Sequence, residues 1–320
     1  MEYCPGSGPS GTPASLSGDI IPGCNACAVP RRKVLRHHSR RMIMSDSQAQ
    51  MAAAFNRIAA GYDNPASRFF LFCADRLIVR LNPVRGSKIL DVATGTGVVA
   101  MAAMQAVGHE GRVMAIDLAE GMLDRLQEKI DKFGIPNIDL HVMDAAALDF
   151  RREYFDHVVC SFGIFFLPDM SAGLREWARV TKPGGRILFT VFVKQAFQPM
   201  MELFIRRIEN FGVVAPDKDA PFAAMRLADP EHCRDLMSGA GLKDIEVHTE
   251  QLGYHLKDEA EWWEVIWNSG MREWVERIPS DRQETFRAEH LADVRPLMGE
   301  QGLWLNVETI FATGTKSSGT

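Results

Sequence analysis

Apolar positions between residues 88 and 193 switch repeatedly between two spacings. Short apolar runs bounded by turns are typical of buried parallel strands, whereas apolar residues three and four positions apart indicate amphipathic helices. In chain order the pattern predicts strand 88–92, helix 97–107, strand 112–117, helix 119–133, strand 138–143, strand 155–161, helix 171–180 and strand 185–193. Such alternation indicates an α/β fold with right-handed crossovers and a mostly parallel sheet, which binds ligands at the carboxyl ends of its strands.

The segments before this region have two different characters. Residues 46–81 have helical periodicity and predict a helix pair over one edge of the ligand site, capped at its start by a Ser or Asp of the segment 45–47. Residues 1–45 are rich in Gly, Pro and Ser and then basic with almost no acid, so we expect a disordered leader. The natural protein is alternatively expected to start at Met44.

The chain after residue 193 predicts a looser arrangement. Helices are expected near 198–210 and 229–239, and the alternating segments 241–249 and 304–314 predict two closing strands, paired antiparallel at the sheet edge. Between these strands the segment 257–300 is interpreted as a helical cap containing four tryptophans, Trp262, Trp263, Trp267 and Trp274. We therefore divide the chain into the leader, a core at 46–195, and a part at 196–320 that completes the sheet and carries the cap.

Composition narrows the class of protein. The chain is 46% apolar and 24% charged with a net charge of −5, as in ordinary globular proteins, and no basic stripe with interleaved aromatics favours nucleic acid. No apolar run reaches the roughly 18 to 20 residues that span a membrane, so no integral membrane segment is expected. Cys73, Cys160 and Cys233 are isolated in apolar surroundings and predict free buried thiols, which fits a cytoplasmic protein.

Metal binding is not expected. Cys24, Cys27 and the pair His37-His38 lie in the leader, but a structural zinc site needs four ligands and a supporting core. The remaining histidines are scattered and form no metal motif. His255 is considered as a general base, although a packed or solvated histidine is the simpler interpretation. No catalytic residue is assigned from the sequence.

A glycine-rich turn follows the first buried strand. The segment Asp91-Val-Ala-Thr-Gly-Thr-Gly97 joins this strand to a helix, and Asp117 ends the next strand. Glycines at 95 and 97 permit backbone conformations that bring a cofactor close to the chain. A carboxylate at position 117 suits the two hydroxyls of a ribose. The pair predicts a nucleoside cofactor site.

The charge of Asp91 distinguishes between two cofactor classes. The turn contains Gly95 and Gly97, and Ala100 occupies the third position of the relaxed dinucleotide pattern, so the glycines alone do not exclude NAD. A carboxylate directly before the turn repels a pyrophosphate but attracts the ammonium group of S-adenosylmethionine, directly or through water. The residues therefore favour S-adenosylmethionine.

Six ordered segments resemble one known family, the class I S-adenosylmethionine-dependent methyltransferases, in their ubiquinone/menaquinone C-methyltransferase-like branch. They are the segments 55–63, 91–97, 115–123, 142–146, 155–163 and 180–188. The resemblance implies a Rossmann-like, mostly parallel seven-stranded sheet with an antiparallel edge strand. It ends near residue 195, after which the long tail and its tryptophan-rich cap depart from the family pattern.

The resemblance and the residues together give a set of predicted cofactor-binding residues. They are Tyr62, Asp91, Ala93, Thr94, Gly95, Thr96, Gly97, Asp117, Leu118, Met122, Asp144, Ala145, Ser161 and Phe162. The resemblance implies that Thr96 contacts the cofactor, that Asp144 receives the adenine amino group beside Ala145, and that Ser161 contacts the cofactor. It also implies that the segment of Tyr62 and Asp63 folds over the cofactor, although an exposed hinge is an alternative.

Several of these residues have simpler alternatives. Leu118 and Met122 are expected to flank the adenine, or else to pack in the core. Asp117 and Asp144 could instead cap the following segments. The tryptophans of the cap have the spacing of core residues, and a second hypothesis makes Trp267 face a hydrophobic substrate.

The expected activity is transfer of a methyl group to a small, apolar or aromatic acceptor at carbon, oxygen or nitrogen. Catalysis of this reaction needs mainly alignment and exclusion of water. Two other functions stay open: a non-catalytic sensor that binds S-adenosylmethionine, and an NAD-linked oxidoreductase. The partner is a small-molecule acceptor, and the oligomeric state is left open with a homodimer as one option.

Overall fold

A central sheet with helices on both faces forms the body of the protein, and the computed structural model describes residues 35–36, 44–214 and 222–317. The strands are β1 (Leu35–Arg36), β2 (Lys88–Val92), β3 (Arg112–Asp117), β4 (Ile138–Val142), β5 (Phe155–Ser161), β6 (Thr181–Phe192), β7 (Leu242–Gln251), β8 (Tyr254–Leu256), β9 (Leu303–Leu305) and β10 (Glu308–Lys316). The α-helices are α1 (Asp46–Ile58), α2 (Phe69–Leu81), α3 (Val98–Val107), α4 (Glu120–Phe133), α5 (Met170–Val180), α6 (Met200–Asn210), α7 (Pro230–Gly239), α8 (Glu259–Trp267), α9 (Arg272–Glu276) and α10 (Gln283–Val294).

The order of the strands is β1-β4-β3-β2-β5-β6-β10-β7. All neighbours are parallel except β10, which runs antiparallel to both β6 and β7. The predicted fold class is confirmed, with β1 as a two-residue addition beside β4. The antiparallel strand lies one position inside the edge, because β10 is almost continuously buried while β7 exposes most of its side chains.

The strands predicted before residue 162 agree with those observed to within one residue. The fifth predicted strand, 185–193, begins earlier, at Thr181, because Thr181 pairs with Phe155. The predicted final strand 304–314 is wrong as a single element. Its first part pairs with β8 in a separate two-stranded sheet, and its second part enters the main sheet.

The N-terminal helix pair is present as predicted. The Ser45 side chain accepts a hydrogen bond from the Gln48 backbone, and the Gln48 side chain accepts one from the Ser45 backbone, which forms a capping box. Helix α2 ends at Asn82 in the left-handed conformation. The predicted leader lies outside the described residues except for 35–36 and 44–45, and with it Cys24, Cys27, His37 and His38.

The segment predicted to be a helical cap is helical, and it contains α8, α9 and α10. Trp262 is fully buried, and its indole N–H donates a hydrogen bond of 2.9 Å to Nε2 of His290. Helix α10 packs against α6 and α8, with the buried Phe286 at the centre of this contact. Apolar side chains of the cap thus belong to the same hydrophobic core as those of α6. The boundaries of the three predicted segments stay a prediction.

Candidate active site

The carboxyl ends of β2 and β5 lie at the point where the strand order reverses. Ala93 and Phe162 follow these two strands, and each has a φ of +53°. Left-handed backbone costs a residue with a side chain on the order of 1–3 kcal/mol, and such conformations cluster at functional sites. Gly163 permits the two chain segments to approach, since a Cβ there would lie 2.7 Å from the Cβ of Ala93. Open α/β sheets bind their ligands at such a reversal.

The turn after β2 is held in place by contacts that a larger residue would break. Gly95 and Gly97 have φ values of +56° and +86°. A Cβ on Gly97 would lie 2.3 Å from Cδ1 of Leu126, so glycine at this position allows α4 to pack against the turn. The predicted role of the two glycines as backbone-exposing positions is consistent with this geometry.

Asp117 at the end of β3 faces the same turn. One carboxylate oxygen accepts a hydrogen bond of 2.8 Å from the Gly95 N–H, and the other accepts one of 2.8 Å from the Ala119 N–H. Burial raises the pKa of this carboxyl, while the backbone hydrogen bonds oppose the rise. The side chain is thereby fixed with lone pairs left for two hydroxyl donors.

Asp91 is more enclosed than predicted. Its side chain is 1% exposed, and it accepts a hydrogen bond of 2.6 Å from the Thr94 hydroxyl. Burial raises its pKa to about 7, and the Thr94 hydrogen bond only partly opposes this. A nearby cation would therefore stabilise the ionised form of this carboxyl. Asp91 does not itself line the crevice described below.

Thr96 connects the turn to the segment of Tyr62 and Asp63. Its hydroxyl donates a hydrogen bond of 2.6 Å to Asp63, whose other oxygen lies 2.7 Å from Nζ of Lys129. Lys129 also donates to the carbonyl of Thr96. The segment of Tyr62 and Asp63 therefore lies against the turn, and its folding over the cofactor stays a prediction. Thr96 uses its hydroxyl for this attachment and does not face the crevice.

Residues after β3 and β4 form one wall of the crevice. Leu118, Met122 and Ala145 line it together with Asp144. One Asp144 oxygen accepts from the Ala146 N–H, and the other accepts a 2.8 Å hydrogen bond from the side chain of Gln48 on α1. The side chain of Asp144 is thus directed to this wall by its own loop and by α1.

A buried chain of small polar side chains lies beneath the end of β5. The hydroxyls of Ser161 and Thr190 are 3.1 Å apart, and the thiol of Cys73 lies 3.5 Å from the Thr190 hydroxyl. Cys73 and Thr190 are fully buried, whereas Ser161 reaches the crevice. This arrangement fixes the orientation of the Ser161 hydroxyl.

The structure brings ten of the fourteen predicted cofactor residues to one crevice of about 100 Å³. Four predicted residues do not line it, and they belong to the turn: Asp91, Thr94, Thr96 and Gly97. Asp91 and Thr94 are hydrogen-bonded to each other, Thr96 is hydrogen-bonded to Asp63, and Gly97 packs against Leu126. The crevice is small because α1 closes it with Gln48, Met51 and Phe55.

A second cavity of about 530 Å³ adjoins the crevice. Tyr62, Phe162 and Phe166 line both, so the two spaces meet at these three rings. Its wall is rich in aromatic side chains, and Phe162 stacks on Phe192 with ring centroids 4.1 Å apart. A volume of this size is typical of pockets for small organic ligands.

Two side chains considered for the substrate site from the sequence, Trp267 and His255, line neither the cavity nor the crevice. Trp267 does not line the cavity, because its ring stacks on Trp263 and lies under the guanidinium of Arg272. Trp274 of α9 lines the cavity in its place. His255 lines neither space and packs against Trp304 on the small sheet, so its consideration as a base has no support from the geometry.

Sequence reasoning missed the helix face that walls both spaces. Gln48, Met51 and Phe55 share one side of α1, and their spacing of three and four residues could have identified that face. It also missed the contribution of Thr190, for which the only signal was a hydroxyl in an otherwise apolar strand.

Comparisons with known proteins agree with this geometry. The sequence profile described as the ubiE/COQ5 methyltransferase family matches residues 43–254. Over 149 residues the chain is 36% identical to aklanonic acid methyltransferase DauC of Streptomyces sp. (strain C5), covering 46% of this chain and 68% of the relative. Over 224 residues it is 31% identical to the ubiquinone/menaquinone biosynthesis C-methyltransferase UbiE of Serratia proteamaculans, covering 64% of this chain and 88% of the relative.

Solved structures share the fold. The YcgJ protein of Bacillus subtilis superposes with a TM-score of 0.52 at 18% identity, covering 78% of this chain and all of that chain. At this identity the likeness concerns the arrangement of strands and helices alone.

Proposed function

Because the chain belongs to the ubiE/COQ5 methyltransferase family and is an S-adenosylmethionine-dependent methyltransferase, we propose that its acceptor is a flat aromatic compound bound in the 530 Å³ cavity. The observation that carries this proposal is the aromatic wall that the cavity shares with the crevice. An acceptor stacked there has its reacting atom next to the cofactor space. One relative named above is an aklanonic acid methyltransferase and the other a C-methyltransferase of ubiquinone and menaquinone biosynthesis, which supports an acceptor of this type.

The same proposal assigns the crevice and its turn to the cofactor. Asp117 would bind the ribose hydroxyls, Asp144 the adenine amino group, and Leu118 with Met122 the faces of the adenine. Asp91 would compensate the positive charge of the amino-acid portion from behind Thr94. When bound, S-adenosylmethionine supplies a methyl group on a positively charged sulfur, which needs no further activation to react with a nucleophile.

The contribution of the protein to the reaction is positioning. The ring of Phe162, held by stacking on Phe192 and by its left-handed backbone, lines both spaces at a fixed position. Tyr62 stacks on Phe70 with ring centroids 5.2 Å apart and also lines both spaces. A rigid passage between acceptor and cofactor supplies proximity, orientation and exclusion of water, which account for most of the catalysis that such a transfer needs.

No helix within the described ranges is both long enough and apolar enough to cross a membrane. As part of the same proposal we assign the activity to the cytoplasm. The described cysteines Cys73, Cys160 and Cys233 are unpaired, which is usual in a reducing compartment.

Product formation with a panel of acceptors tests the proposal. The protein is incubated with S-adenosylmethionine and polycyclic aromatic acids, naphthols, benzoquinols and, as a non-aromatic control, a linear fatty acid. We expect a product one methylene heavier, found by mass spectrometry, only with the aromatic members. Binding of S-adenosylhomocysteine without methylation of any member would favour the sensor, and tighter binding of NAD in a thermal-shift competition would favour the oxidoreductase.

A further inference from the structure

Charged side chains line one part of the otherwise largely apolar cavity. Among the described residues that line it, the cations are Arg57, Lys194, Arg272 and Arg277, and the carboxylates are Glu273 and Glu276. The wall therefore has two more positive than negative groups. A surplus of positive charge beside an apolar space favours an anionic ligand.

Two of these arginines share a single carboxylate. Arg57 of α1 lies 3.2 Å from Glu276 of α9, and Arg272 lies 2.8 Å from the same residue. Glu273, the other carboxylate, is paired at 2.8 Å with Arg277. Each guanidinium offers five N–H donors, so one carboxylate leaves donors of Arg57 and Arg272 available.

Aromatic rings hold the arginines of α9 in place. The guanidinium of Arg272 lies 4.3 Å from the ring centroid of Trp267, and that of Arg277 lies 4.7 Å from that of Trp274. Stacking on an indole fixes the plane of a guanidinium and reduces the entropy lost when it binds a ligand. The role of Trp267 is thus to support Arg272, while its own ring stays outside the cavity.

We propose that the acceptor carries a carboxylate that binds to Arg57 and Arg272, and this inference rests on the proposed function. Arg57, Arg272 and Glu276 line the large cavity and not the crevice, so the carboxylate binds away from the cofactor. The planar fork of a guanidinium matches a carboxylate with two parallel hydrogen bonds. The aromatic body of the acceptor then lies between this charged end and Phe162. The site selects aromatic acids over neutral aromatic compounds of the same shape.

A pair of probes that differ only in charge tests the inference. Anthraquinone-2-carboxylate and anthraquinone-2-carboxamide are titrated into the full chain saturated with S-adenosylhomocysteine, and binding is followed by tryptophan fluorescence and calorimetry. We expect the carboxylate to bind about tenfold more tightly, as one charge-assisted interaction allows. The preference should decrease as salt is added, because the Arg57 side chain is 46% exposed to solvent.

Variants assign the preference to the named residues. Arg57→Gln and Arg272→Gln should each reduce the ratio of the two affinities to near one, and Arg57→Lys should retain part of it. Glu276→Gln removes the competing carboxylate and should increase the ratio. Arg295→Gln makes the same change of net charge at an arginine that pairs with Glu259 and lines neither space, so the ratio should not change.

The outcomes separate this inference from the function on which it rests. Equal binding of the two probes, or a Glu276→Gln variant that binds both less tightly by the same factor, would overturn the carboxylate site and leave cofactor binding intact. Failure of S-adenosylhomocysteine to bind the unaltered protein would instead overturn the proposed function. Melting temperatures of all variants identify any that fail to fold.

Discussion

The crevice and the cavity differ in how the chain builds them. The crevice is about 100 Å³, and its polar contacts come from short segments at the ends of β2, β3 and β4. The cavity is about 530 Å³ and collects side chains from α1, α2, the ends of β5 and β6, and α9. One space depends on local backbone geometry and the other on packing between distant segments. A substitution in the crevice should therefore act mainly through lost hydrogen bonds. A substitution in the cavity should act mainly through lost packing against the ligand.

Asp117→Ala should have the largest effect. It removes the acceptor of the Gly95 and Ala119 N–H groups together with the proposed ribose ligand. We expect the Kd of S-adenosylhomocysteine to rise by roughly a hundredfold or more, as loss of two charge-assisted hydrogen bonds implies. Calorimetry measures this directly. Asp117→Asn, which keeps one oxygen, should lose less, and an unchanged Kd in the alanine variant would show that the crevice does not bind the ribose.

Trp274→Ala should affect only the cavity. The ring is 8% exposed, lines the cavity and packs on Phe222 at 4.9 Å. Its loss should raise the acceptor KM about tenfold, the value expected from the lost apolar contact, with little change in the cofactor Kd.

Trp267→Ala is the matched control, because this ring stacks on Trp263 outside the cavity. With a neutral acceptor it should lower the melting temperature without a comparable change in KM. A larger rise in KM for Trp267→Ala than for Trp274→Ala would restore the hypothesis that Trp267 faces the substrate.

The pH dependence of cofactor binding should depend on Asp91. Burial raises its pKa to about 7. This value lies above the pKa of Asp91 in the unfolded chain, so the folded state holds the proton more tightly. The stability that this proton contributes is present below about pH 4 and is lost as the pH rises to about 7. A bound cation favours the ionised form, so affinity for S-adenosylmethionine should rise up to about tenfold from pH 6 to pH 8.

The comparison with Asp91→Asn isolates this contribution. Burial lowers the pKa of His157 and of His290 to about 4. Their contribution to the stability of the fold is therefore lost as the pH falls below about 6.5, a dependence on pH opposite to that of Asp91. The difference in melting temperature and in Kd between the two proteins at each pH removes their effect. A pH profile that Asp91→Asn leaves unchanged would contradict the prediction.

Thr190→Val should have the smallest effect. It removes the hydroxyl that connects Ser161 and Cys73 while keeping the shape of the side chain. We expect kcat to fall roughly fivefold, the value of about one hydrogen bond, at an unchanged acceptor KM. Thr190→Ser should restore kcat. If both variants changed kcat equally, the effect would be one of packing.

The two spaces were not equally predictable from the sequence. The elements around the turn follow from local periodicity and from glycines and carboxylates at strand ends, so Gly95, Asp117 and Asp144 could be found one segment at a time. What could not be found is how far Asp91 is buried, because that depends on neighbours far away in the chain.

The cavity depends entirely on such distant contacts. Whether Trp267 or Trp274 faces the cavity is decided by how α9 packs, and both have helical spacing in the sequence. The pairing of Arg57 with Glu276 joins residues more than two hundred positions apart, and no local pattern predicts it. The split of the final strand has the same origin, since β9 pairs with β8, which lies on the other side of the cap in the sequence.

Helix α1 is attached at both ends and lines both spaces. Gln48 near its start donates to Asp144, and Arg57 near its end pairs with Glu276. Any ligand that takes over one of these partners weakens an attachment of the helix that covers the other ligand. Thermodynamic reciprocity then requires each reactant to change the affinity of its counterpart by an identical factor. Occupancy of one space would thereby change the affinity of the other space through this helix.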